Sequence, residues 1–203
     1  SFSCQGYVFS GWDIELPATM PAEDVTVNAT WTAGEGVEYR VEHYVQNVNG
    51  DGYTLTETDN RTGTTGAVVD GSTLAKLVGN GLTLKSAESK TVAADGSTVI
   101  KIYYDRASYT VSFTYGNKVG EAVVYTVRYG AALPEAPVFT VAGYVFAAWN
   151  SDMASTMPAS NLTYVAQWVA DDNTAFTVEH HYQNAGDDGY ALVETETKYG
   201  TTD

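Results

Sequence analysis

The chain has 203 residues, enough for one to three small domains, with 44% hydrophobic and 12% aromatic residues to build cores. Its net charge of −15, from 25 acidic and 10 basic residues, disfavours nucleic acid and anionic membrane surfaces, both of which call for a basic face. The single cysteine, Cys4, excludes an intrachain disulfide, which fits a cytosolic protein and equally a surface protein built without disulfides.

In chain order, the first recognisable element is the strand Gly6 to Trp12, followed by Met20-Pro21-Ala22 in a loop and a strand ending near Trp31. A second kind of unit follows at Val37. Tyr39, Val41, His43 and Val45 alternate with polar residues, the pattern of a strand with one buried face. Asn49-Gly50-Asp51-Gly52 predicts a hairpin turn, because these residues tolerate positive φ. Tyr53, Leu55 and Glu57 lie on the returning strand. Ser72 to Val78 reads as one or two helical turns with Ser72 as N-cap. Asp95-Gly96 marks a turn and Thr98 to Tyr104 the closing strand.

A third stretch opens with Tyr109 to Tyr115, where Tyr109, Val111, Phe113 and Tyr115 alternate. Gly116-Asn117-Lys118 makes a turn, Glu121 to Tyr129 returns, and Pro134 and Pro137 keep the next connection out of a ladder. Strands at Tyr144 to Trp149 and Leu162 to Trp168 complete it, with Met157-Pro158-Ala159 in the loop between. From Thr174 the second kind of unit begins again.

This order is a repeat. Gly6-Tyr7-Val8-Phe9 returns as Gly143-Tyr144-Val145-Phe146, an offset of 137 residues, and residues 1–65 align with 138–202 without a gap, 28 of the 65 pairs being identical. The chain therefore divides into residues 1–33, the C-terminal half of a module termed A; 37–106, a complete module B; 108–170, a complete A; and 174–203, the N-terminal half of a second B. The seams at residues 33–36, 105–107 and 170–173 are short and predict a semi-stiff string. The half modules lack strands for a closed core. They are expected to be loosely ordered or to complete each other across chains.

Module A resembles the Listeria–Bacteroides repeat, the internalin-type B-repeat, in its glycine-aromatic-tryptophan strand (Gly6 to Trp12, Gly143 to Trp149) and in the closing strand Tyr164 to Trp168. Ala148 stands where that family usually carries the glycine seen at Gly11. Module B resembles the mucin-binding-protein-like repeat through Val41-Glu42-His43-Tyr44, Gly52-Tyr53, Gly63-Thr64-Thr65-Gly66 and the strand Val99 to Tyr104. The resemblance implies a mainly β (α+β) chain of small β-grasp-like, ubiquitin-like modules in an elongated string. It also implies bacterial cell-surface, wall-associated proteins in which such repeats form stalks or adhesive segments. It carries over no catalytic, cofactor, metal or ligand residue.

Several residues invite a chemical reading. His43 and His180 sit inside Val-Glu-His at equivalent places and read as core or interface histidines ahead of a glycan contact, and a metal ligand or catalytic base ranks last. His181 neighbours His180 on a strand, so the two point to opposite faces. Asn47 to Gly52 hints at a calcium loop, but Thr58 stands where an EF-hand needs a bidentate glutamate. Asn184 to Gly189 loses the spacing altogether. Trp12, Trp31, Trp149 and Trp168 read as core or rim residues ahead of sugar platforms. Cys4, opposite Val141 in the repeat, reads as structural ahead of a reactive thiol. No Lys-Asn-Glu set matching an isopeptide bond repeats at the offset, although Lys101 lies on a strand.

No Ser-His-Asp, Cys-His or paired-carboxylate set repeats either, and phosphate loops, CxxC pairs and HExxH are absent from the sequence. The expected role is thus a stalk that projects a distal binding domain, without enzyme activity, cofactor or membrane insertion in this segment. The alternative is weak, multivalent binding of host glycans or mucin. Host glycans or surface proteins are the expected partners in either case.

Overall fold

The computed structural model describes residues 2–186 and 188–203. It is mainly β and separates into two compact units, residues 1–108 and 109–203.

The first unit opens with β1 (Tyr7–Trp12) and β2 (Ala29–Ala33), an antiparallel pair forming a sheet of its own. Then come β3 (Val37–Gln46), β4 (Tyr53–Gly63), β5 (Val68–Asp70), β6 (Leu82–Ala87), β7 (Ser89–Thr91) and β8 (Val99–Arg106). The main sheet of this complete B module has the order β4-β3-β8-β6. Its central pair, β3 and β8, is the first and last strand of the module, and it is parallel, from Arg40 opposite Val99 to Val45 opposite Tyr104. Alternation places Tyr39, Val41, His43 and Val45 on the buried face, where they meet Ile100, Ile102, Tyr104 and Val92. Leu74, Leu77 and Leu82 close that core.

The helical segment is shorter than its sequence suggests. Gly71–Leu74 forms a single 3-10 turn, and Asp70, not Ser72, is the N-cap, its carboxylate accepting from the Ser72 N–H at 2.9 Å. The short strands β5 and β7 pair with each other beside it.

The second unit carries β9 (Ser108–Thr114), β10 (Val123–Arg128), β11 (Tyr144–Trp149) and β12 (Leu162–Ala170), then the antiparallel pair β13 (Thr174–Gln183) and β14 (Tyr190–Gly200). The complete A module has the sheet order β10-β9-β12-β11, and its first and last strands again form the parallel centre, from Leu162 opposite Val111 to Val165 opposite Thr114. Both module types therefore share the strand order 2-1-4-3. Here loops cover the sheet: Phe139 is buried over Val111, Phe113, Tyr164 and Ala166, Met157 is buried as well, and the Tyr164 hydroxyl accepts from the Ala154 N–H at 2.9 Å.

The repeat is kept in register as well as in sequence. β1–β2 bulges between Phe9 and Gly11, and β11–β12 bulges between Phe146 and Ala148. The bulges of β3–β4 and β13–β14 likewise fall beside His43 and beside His180. Gly11 takes a φ of 140°, a conformation that its counterpart Ala148 does not adopt. The strand pairing and its bulge are nevertheless the same with either residue.

Ile102→Ala, at the fully buried centre of B, should lower the unfolding free energy by about 2–5 kcal/mol, and Val119→Ala, fully exposed, by less than about 0.5 kcal/mol. Urea titration of the two variants measures both.

Candidate functional site

Two features stand out when the sequence candidates are placed on the fold. The first is the seam where an A module passes into a B module. The turn before β1 puts Gly6 at φ 71°, with the Tyr7 N–H bonded to the Cys4 carbonyl at 3.0 Å. The Gly6 carbonyl then faces the seam. There the Gly34 N–H donates to Gly6 O at 2.8 Å, and the Gly34 carbonyl accepts from the Thr65 N–H at 2.9 Å. One linker residue is held on both sides, by A through its N–H and by B through its carbonyl.

The same arrangement recurs 137 residues later. The Asp171 N–H donates to Gly143 O at 2.9 Å and its carbonyl accepts from the Thr202 N–H at 3.0 Å, with Gly143 at φ 76°. Two net backbone bonds, each about 0.5–1.5 kcal/mol, roughly offset the entropy of fixing one residue, about 1–2 kcal/mol.

Packing settles the first joint further. Gly34 and Thr65 are buried, the Thr65 hydroxyl also donates to Gly6 O at 2.5 Å, and a Cβ at Gly6 would lie 2.5 Å from the Ala94 backbone. At the second joint the Thr202 hydroxyl pairs instead with the Thr174 hydroxyl at 2.6 Å, and the Tyr144 hydroxyl bonds to Asp203 O.

The second feature is the complete B module, whose two faces differ. On the buried face His43 is fully enclosed, with Nδ1 2.9 Å from the Tyr104 hydroxyl. Which of the two donates in that bond depends on the imidazole tautomer. Nε2 faces Asp59 Oδ2 at 3.5 Å, longer than a hydrogen bond, and is the one buried side-chain nitrogen or oxygen without a hydrogen-bond partner among the described residues. Lys76 bonds Asp59 Oδ1 and Glu57 Oε1, each at 2.6 Å. The Lys76 bond holds the Asp59 carboxyl below its usual range, with His43 adding to the effect against partial desolvation. Tyr104, His43, Asp59 and Lys76 thus tie β8, β3, β4 and the 3-10 region together.

His180 keeps the same cross-strand partner. Its Nε2 lies 3.0 Å from Glu196 Oε1, the counterpart of Asp59, but its side chain is 44% exposed. His181 turns to Glu179 at 3.1 Å.

On the opposite face Tyr44 stacks on Tyr103 with centroids 5.1 Å apart, and Tyr53 meets Tyr103 edge-on at 5.3 Å. Around them the Tyr53 hydroxyl bonds to Asp105 and receives Lys85, the Tyr44 hydroxyl donates to Glu42 at 2.7 Å, and the Lys101 ammonium lies 5.8 Å from the Tyr44 ring. His43 lies on β3 and Tyr53 opens β4, the two strands of one hairpin. The sheet puts them on different faces, and Tyr103 was missed, though it alternates with the buried Ile102 and Tyr104.

The other candidates fall into structural roles. Trp149 packs edge-on to Phe113 at 5.1 Å, and Trp168 stacks on Tyr115 while its Nε1–H donates to Tyr115 O at 2.8 Å. Phe9, Trp12 and Trp31 reproduce the edge-on trio of Phe146, Trp149 and Trp168, with Phe2 against Trp12 as Phe139 is against Trp149. Cys4 is exposed, so the apolar environment expected for it is not there, and its place is set by the backbone turn.

In the loop Asn47 to Gly52 the Asn47 N–H closes on Gly52 O at 2.8 Å and Asn47 Oδ1 accepts from Thr54 at 2.6 Å, the bonding of a hairpin. The matching loop closes through Asn184 N–H and Gly189 O at 2.9 Å, and Asp187 within it lies outside the described residues. No group of three His, Cys, Asp or Glu side chains among the described residues is placed to hold a metal ion, and no helix among them is long and apolar enough to cross a membrane.

No protein-family model matches the chain, and no curated protein matches it.

A carboxyl whose folded pKa is depressed contributes stability above its unfolded value, near 3.9 for Asp, and loses it as pH falls through the folded one. The stability of B should therefore fall as pH drops below about 4, and Asp59→Asn should flatten that acid limb while lowering stability at neutral pH. Denaturant midpoints across the acid range check it.

Proposed function

We propose that the chain is a run of structural stalk repeats from a bacterial cell-surface adhesin, extracellular and associated with the cell wall, which holds a distal binding domain away from the surface. Each module is taken as β-grasp-like. The shared 2-1-4-3 sheet with a parallel centre supports that reading in both module types. The resemblance of A to the internalin-type repeat and of B to the mucin-binding-protein-like repeat supplies the surface setting.

The observation that carries the proposal is the repeated joint. The same two backbone bonds hold Gly34 between Gly6 and Thr65, and Asp171 between Gly143 and Thr202. A spacer needs a fixed, repeatable passage from one module to the next. A protein built round one reaction centre has no use for two copies of it. The net charge of −15 suits this role, since like-charged copies repel and stay apart.

A second reading is favoured by one observation. Tyr44, Tyr53 and Tyr103 form an aromatic group on the outer face of B, edged by Lys85, Lys101, Glu42 and Asp105. Rings edged by polar groups suit weak stacking of sugar rings, and repetition would raise avidity.

The two readings part in one experiment. Under the stalk reading the chain gives no signal above background on a glycan array, and replacing the repeats on a displaying cell with an unrelated spacer of equal length preserves adhesion. Array binding that is lost on Tyr53→Ala would move the assignment to the glycan-binding reading.

A further inference from the structure

In each complete module the chain enters on the first strand and leaves on the last, and these two strands are neighbours. In B it enters at Val37 on β3 and leaves at Arg106 on β8, and in A it enters at Ser108 on β9 and leaves at Ala170 on β12. Both pairs are parallel. The entry and exit points therefore lie at opposite ends of one parallel ladder.

Tension along the chain has a definite consequence in this arrangement. It draws the first strand back toward its start and the last strand forward toward its end. The two slide past each other, so every bond between them is loaded at once. Parallel ladder bonds are evenly spaced and share such a load. Were the module held by two points at the same end of the ladder, the bonds would open one after another, each opposing only its own small net stabilisation.

Side chains of B reinforce the same strand pair. His43 on β3 reaches the Tyr104 hydroxyl on β8 at 2.9 Å, and Tyr44 stacks on Tyr103. At the exit the Arg106 Nε–H donates to Gln46 O at 2.7 Å and the Arg106 N–H to Gln46 Oε1 at 3.0 Å.

We propose that each complete module is a force-bearing element whose mechanical clamp is the parallel pair of its first and last strands, β3 with β8 and β9 with β12. The proposal rests on strand geometry and stands or falls apart from the adhesin reading: a glycan-array result leaves it untouched.

The test pulls one folded module in two directions. In a Cys4→Ser background, handles are attached through Glu35→Cys and Ala107→Cys, which loads B end to end, or through Asp51→Cys and Ala107→Cys, which loads one end of the β3–β8 ladder. Glu35 and Asp51 are both exposed, and matching thermal melts show that both versions are folded. The expected result is a several-fold higher unfolding force end to end at the same loading rate, because forced unfolding reads the barrier rather than the equilibrium stability. In A the same comparison uses Ala107→Cys with Asp172→Cys against Asn117→Cys with Asp172→Cys. Equal forces in the two directions, in either module, would overturn the proposal.

Discussion

The pairing of the first strand of each module with its last is the constraint on which the rest depends. It brings residues about sixty positions apart into register, Val41 beside Ile100 and His43 beside Ile102 in B, and every buried residue of either core lies on that pair or is packed over it. Closing so long a loop costs entropy before any contact rewards it. The buried ladder of Val, Ile, Tyr and Phe side chains supplies the compensation. Because the pair is parallel, the module is entered at one end of it and left at the other, so the next module begins where the last strand stops.

Comparison of the two B sequences separates local from distant determinants. The hairpins β3–β4 and β13–β14 have equivalent registers, bulges and loop bonds, and His43 and His180 face the same acidic position. What differs is burial. His43 has Tyr104 and Ile102 beside it and no exposed surface, whereas His180 has only its hairpin. The hairpin geometry is thus set by nearby sequence, and the buried network is set by the strand that arrives from the far end of the module. The A hairpins behave alike: the aromatic trio forms around Trp12 and Trp31 as it does around Trp149 and Trp168.

β3 was legible because its alternation has one reading: Tyr39, Val41, His43 and Val45 all turned inward, and the Asn-Gly-Asp-Gly turn closed their hairpin. The strands β5 and β7 are three residues each, too short to show a period, and in β6 only Leu82 and Leu84 alternate before Lys-Ser-Ala breaks the pattern. Ser72 is a residue type that favours the N-cap. Asp70 holds that place since its carboxylate reaches the Ser72 N–H. The joint was hidden for a deeper reason. Its bonds are made by backbone, and its central residue is glycine in one copy and aspartate in the other, so no side-chain identity marks it. Only Gly6, Gly143, Thr65 and Thr202 recur, and a repeat does not by itself say which of its residues touch.

Amide hydrogen exchange on the intact chain at neutral pH tests the joint most directly. The Gly34 and Asp171 N–H groups meet solvent only when their bonds to Gly6 O and Gly143 O open, and the bonds at their carbonyls oppose that opening. The Gly34 and Asp171 amides should exchange slowly, together with those of Thr65 and Thr202, while a loop amide such as that of the exposed Asp51 should exchange at once. Exchange at Gly34 and Asp171 as fast as at Asp51 would mean that the seams are free hinges, and the repeated clamp would be contradicted.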